Sequence, residues 1–88
     1  MNAPPPPLLL ADLEPGSAAR VEAVDADTSI GRRLLDLGFV PGTEVRVLRR
    51  APLGDPVEYE LRGYRLCLRR TEALRIRVHR THGGGPPR

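Results

Sequence analysis

The chain contains no lysine and no tryptophan, a single cysteine, Cys67, and only three aromatic residues, Phe39, Tyr59 and Tyr64. Each scarcity removes a class of protein. One cysteine forms no internal disulfide, so the cross-linked frameworks of small exported domains are excluded and a reducing, cytoplasmic setting is expected. No apolar run approaches the roughly 20 residues that a membrane-spanning helix needs. The opening MNAPPPPLLLADLEPG has no basic leader before its short apolar run, so neither a signal peptide nor an anchor is expected. With so few aromatics, Val, Leu, Ile and Ala must fill the core, and a single-stranded nucleic acid would find little on which to stack its bases.

What is present fits one small domain. The 88 residues carry a formal charge of +3, and all 14 basic residues are arginine. Abundant Ala, Pro and Gly accompany that bias, a pattern genome base composition alone produces, so it says little about guanidinium chemistry. Residues 1–7 read as a disordered Pro-rich tail and 80–88 as a flexible Gly/Pro-rich tail, leaving a folded unit over 8–79.

Within that unit the apolar period identifies the elements. Leu10–Leu13 has room for a single helical turn, and Pro15-Gly16 marks a reversal. Ala19, Val21 and Ala23 alternate against Arg20 and Glu22, which predicts a first strand. The period then changes: Ile30, Leu34 and Leu37 recur at i, i+4 and i+7. Asp27 or Thr28 is placed to cap the start, and Gly38 suits the left-handed position past the end, so one short amphipathic helix is predicted. Gly31 sits inside it at a cost of about 1 kcal/mol relative to alanine, a sign of either close packing or a frayed first turn.

After a Pro41-Gly42 turn, Val45 and Val47 share one face of a second strand, and Val57, Tyr59 and Leu61 one face of a third. Gly63-Tyr64 reverses the chain into a fourth, with Leu66 and Leu68 inward. TEAL reads as a single turn, and Ile76 and Val78 face inward on a closing strand. Short antiparallel strands that curl on themselves protect their edges. The prediction is an all-β fold, an SH3-like five-stranded antiparallel barrel with one short inserted α-helix. An OB-type barrel has the same strand count, but its usual helix lies later in the chain.

The chemistry-bearing residues are sparse. Both histidines, His79 and His82, fall at the last strand's end or in the tail, and no nucleophile has a base near it in sequence, so no catalytic residue is expected. Zinc ligand pairs such as C-x-x-C or H-x-x-x-H are absent, and the H-x-x-H of His79 and His82 lies at a strand end running into the tail, so neither a metal site nor a cofactor is expected. Arginines 46, 62, 65, 69, 75 and 77 could line an outer face, the feature that favours a nucleic-acid-binding barrel. Against it, Phe39 and Tyr59 occupy core positions, Tyr64 alone remains as a stacking platform, and Glu58 and Glu60 can pair with arginines across the sheet. No nucleic-acid partner is expected.

The stretch RRAPLGDPVEYELRG joins the second and third strands through Ala51–Pro56. Pro52 and Pro56 donate no ladder bond and fix φ, Gly54 permits a tight bend, and Asp55 is suited to an Asx-type turn with nearby amides. Leu53 is left with no inward period. Two readings stand level: a docking loop for another protein, or a stiff connection with Leu53 folded back over the barrel end.

These residues resemble a family. RLLDLGFVPGTEVRVLRRAPLGDPVEYELRGYRLCLRRTEALRIRV looks like the core of ferrous iron transport protein A, FeoA, and the resemblance extends over about Leu8–Val78. It is carried by Leu34–Gly38 with Pro41-Gly42, by Ala51–Pro56, and by Leu66–Arg69 followed by Glu72-Ala73 and Ile76–Val78. It implies an SH3-like barrel without enzymatic activity and a cytoplasmic accessory role in bacterial ferrous iron uptake. The implied partner is the membrane transporter FeoB, through its GTPase domain or its membrane portion; a homo-oligomer is also open. The partner-binding set is then Pro52, Leu53, Gly54, Asp55 and Pro56 in the loop, with Leu35, Leu37 and Gly38 at the helix end. A nucleic-acid-binding small β-barrel and an iron-responsive regulatory SH3-like module are the alternatives. Cys67 stands where the family commonly has a small or aliphatic residue, which fits a structural strand position.

Overall fold

The alternating segments become strands where their period predicts them. The computed structural model describes residues 7–82. The elements run β1 (Leu8–Leu9), a 3-10 turn (Leu10–Asp12), β2 (Ala18–Val24), α1 (Ser29–Asp36), β3 (Glu44–Arg50), β4 (Val57–Leu61), β5 (Tyr64–Leu68), α2 (Arg70–Ala73) and β6 (Ile76–His82). Of the tails expected over 1–7 and 80–88, residues 1–6 and 83–88 lie outside the described residues.

Every ladder is antiparallel and the strand order is β1-β6-β2-β3-β4-β5. β2 serves both halves of the sheet, pairing with β6 and, through Ala18–Arg20, with β3. Register shifts along β2 and between Val47 and Arg49 of β3 add the local twist that bulges give. The curled sheet puts Val45, Val47, Tyr59, Leu61, Leu68, Ile76 and Val78 inside, all buried.

Three boundaries differ from expectation. Among the described residues there are six strands, because Leu8 and Leu9 pair with Val78 and Arg77; two residues are too few to show a period. The TEAL turn overlaps a second, one-turn helix, α2, which starts one residue earlier at Arg70 and has Leu74 just past its end. β6 runs on to His82, past the boundary expected at His79, since Arg80 and His82 still pair with β2. The sheet's edges, β1 and β5, share no ladder; α2 packs against both β5 and the 3-10 turn and bridges them.

The inserted helix follows its sequence signals. Thr28 caps it, its Oγ1 accepting from the Gly31 amide at 2.9 Å. Leu34 is buried, Ile30 and Leu37 pack against the core, and Gly38 takes a φ of 113° just past the end. Close packing explains Gly31: a Cβ there would lie 1.7 Å from the Asp25 carbonyl oxygen. Among the described residues no helix is long and apolar enough to cross a membrane.

Candidate docking site

β3 and β4 stay paired up to Arg50 opposite Val57, and Ala51–Pro56 projects beyond that pair. The Ala51 amide donates to the Pro56 carbonyl at 2.9 Å and closes the loop's base. The Gly54 amide donates to the Ala51 carbonyl at 2.7 Å, making a β-turn with Pro52 at its second position, where a fixed φ is favoured. Gly54 follows with a φ of 93°, and the Asp55-Pro56 peptide is cis. Leu53 is carried at the turn's third position and is 97% exposed. The folded-back reading of Leu53 therefore fails. A shallow hollow of about 410 Å³ at the loop's base is lined by Arg49, Arg50, Ala51, Pro52, Pro56, Glu58 and Cys67.

Asp55 makes a different bond from the Asx turn expected. Its Oδ1 accepts from the Arg70 amide of α2 at 2.9 Å, linking the loop to an element 15 residues further on. Below this contact two arginines reach the amino-terminal turn. Arg50 Nη2 donates to the Leu13 carbonyl at 3.0 Å, and Arg70 Nη1 to the Ala11 carbonyl at 3.2 Å, with Asp12 4.0 Å from Arg70. The buried Tyr59 phenol feels the same charges. Burial pushes its pKa up to about 12, opposed by Arg50 and Arg70 and aided by Asp55.

The helix-end residues of the expected set lie elsewhere. Leu35 and Leu37 are half-buried, Leu37 packs against the core, and the Tyr64 hydroxyl donates to the Leu37 carbonyl. A Cβ on Gly38 would meet Arg62 Cδ at 3.2 Å and the Tyr64 hydroxyl at 3.5 Å. The β4–β5 reversal is made by Arg62 and Gly63, with φ of 52° and 85°, one residue earlier than expected; two positive φ values match the twist of a two-residue hairpin. Leu37 and Gly38 thus belong to the Leu61–Tyr64 end of the β4–β5 hairpin, and the loop to its Val57–Leu68 end. Four strand rises of about 3.4 Å, or about 14 Å, separate the two. The structure does not bring Leu35, Leu37 and Gly38 together with Pro52–Pro56.

The outer face carries both signs of charge. Glu60 lies between Arg46 and Arg65 across the strands, and Arg49 Nε meets Glu58 Oε1 at 2.8 Å. On the other half, His79 Nδ1 lies 3.3 Å from Glu22 Oε2. Tyr64, the one aromatic left for base stacking, is engaged with Leu37. Among the described residues no three His, Cys, Asp or Glu side chains gather as they would around a metal ion, and Cys67 is an exposed free thiol.

A small antiparallel barrel with a helix inserted between its first long strands and a stiff apolar loop is an SH3-like domain. This chain belongs to the FeoA domain family, whose family model matches residues 8–80. The Fe(2+) transport protein A/Fe(2+) transporter FeoB fusion protein of Porphyromonas gingivalis is 38% identical over 69 residues. That match takes in 78% of this chain but only 8% of the relative, so the chain spans a small fraction of the fused protein. The solution structure of FeoA from Chlorobium tepidum is 45% identical with a TM-score of 0.77, over 89% of this chain and 74% of that one. The crystal structure of zinc-complexed FeoA from Stenotrophomonas maltophilia, described as an SH3 domain protein, is 39% identical with a TM-score of 0.72, over 81% and 88%. The fused relative links the family to ferrous iron transport.

Proposed function

We propose that this chain is a non-catalytic, cytoplasmic accessory protein of ferrous iron uptake that acts by contact with a FeoB-type transporter, with Leu53 as the principal contact side chain. The observation that carries the reading is the fused relative, in which a region similar to this chain shares one polypeptide with a FeoB transporter. Joining two modules keeps them at a high effective concentration, on the order of millimolar for a short flexible linker, which serves modules that work in contact.

The loop is the better candidate for the contact surface because Leu53 is free while the helix end is engaged. Leu37 packs against the core and its carbonyl accepts from Tyr64. An apolar side chain held at a turn between two prolines has little conformational freedom to lose on capture. Leu35, Leu37 and Gly38 then act by shaping the barrel end.

Anaerobic retention of the full FeoB-type transporter of the same organism on the immobilised chain, with and without guanine nucleotide, tests the association. Retention in at least one nucleotide state is expected. A transporter that passes through unretained in both overturns the reading.

A further inference from the structure

We infer that Asp55 is the positioning residue of the docking loop: it fastens the loop to α2, sets the direction in which Leu53 projects, and does not itself touch the partner. The inference rests on the docking role proposed for Leu53 and says how that side chain is held.

Two of the loop's bonds, Ala51 to Pro56 and Gly54 to Ala51, lie within the loop. They fix its shape but not its tilt against the barrel. The bond from the Arg70 amide to Asp55 Oδ1 is the one hydrogen bond among the described residues that leaves Ala51–Pro56 for another element. Its far end is itself secured. The Arg70 guanidinium donates to the Ala11 carbonyl, and Glu72 accepts from the Arg69 amide at 2.9 Å while pairing with Arg33 of α1. The loop is thereby tied through α2 to both the amino-terminal turn and the inserted helix.

This bond asks of residue 55 an acceptor oxygen at the right distance, not a negative charge. Asparagine supplies that oxygen and alanine does not. A carboxylate that met a cation on the partner would show the opposite dependence, with asparagine failing like alanine. The pair of substitutions therefore separates an inward role from an outward one.

The experiment compares wild type, Asp55→Ala, Asp55→Asn and Leu53→Asp by backbone NMR relaxation, amide exchange at Arg70 and affinity for the full transporter. In Asp55→Ala the Leu53 amide order parameter is expected to fall from about 0.85 to below about 0.6. Arg70 amide exchange accelerates, and affinity drops about tenfold, the size of one lost hydrogen bond. Asp55→Asn stays near wild type in all three. A loop that remains rigid in Asp55→Ala overturns the inference. So does an Asp55→Asn chain that keeps a rigid loop yet binds as weakly as Asp55→Ala. If the loop loosens in Asp55→Ala while neither that variant nor Leu53→Asp changes affinity, the tether is upheld and the docking role of Leu53 falls.

Discussion

Raising the pH above 10 singles out one side chain in this protein. The chain has no lysine, and arginine stays protonated through that range, so the side chain whose burial makes stability depend on pH between about 10 and 12 is Tyr59. Tyr59 is 1% exposed, and burial raises its pKa from 10.0 to about 12. The unfolded chain releases this proton near pH 10 and the folded protein only near 12. Above pH 10 the unfolded state therefore binds fewer protons than the native one, and stability falls as pH rises. The contribution is complete below pH 10 and is lost between about 10 and 12. At about 1.4 kcal/mol per unit, the loss is about 2–3 kcal/mol, a large share of a small domain's stability. Urea unfolding followed by circular dichroism, in steps from about pH 8 to about 12, reads it directly. Wild type should lose that amount across the window, and Tyr59→Phe should lose far less. Parallel curves for the two proteins, or a flat curve for wild type, would refute the burial argument.

Gly31→Ala should lower stability by about 2–3 kcal/mol despite alanine's helix propensity, because the added Cβ collides with the Asp25 backbone carbonyl. Thermal unfolding should show a midpoint at least about 10 °C lower; an unchanged midpoint would show that the Asp25 turn yields freely. Glu72 is held below its ordinary pKa first by the Arg69 amide and then by Arg33, so its stabilising contribution is present above the usual carboxylate range and lost as pH falls through its folded value. Glu72→Gln should flatten part of the acid limb of a stability–pH curve, and an identical limb in the variant would argue against that assignment.

Much of the fold was legible because periodicity and punctuation agreed. Val57, Tyr59 and Leu61 alternate and are buried as a strand; Thr28 and Gly38 bracket a helix that begins and ends where they stand. β1 escaped because Leu8 and Leu9 owe their state to pairing with Val78 and Arg77, far along the chain. The prolines around Leu53 announced a stiff turn, and the structure exposes that leucine, yet nothing local decides whether such a side chain folds back or stands out. Asp55 was misread for a similar reason: an aspartate in a turn has amide donors close at hand, but its acceptor is taken by Arg70. The helix-end motif and the loop both stood out in the sequence. Linear reading carries no distance between them, and the β4–β5 register places them at opposite ends of a hairpin.

The affinity of the full FeoB-type transporter for wild-type, Leu53→Asp and Leu53→Met chains, measured anaerobically under one set of conditions, bears most directly on the proposed contact. Burying a leucine contributes about 1.5–3 kcal/mol, so Leu53→Asp should weaken binding by at least about tenfold. Leu53→Met, close in volume and equally apolar, should bind nearly as wild type does. Equal affinities for wild type and Leu53→Asp, with the fold of both intact by circular dichroism, would contradict the account.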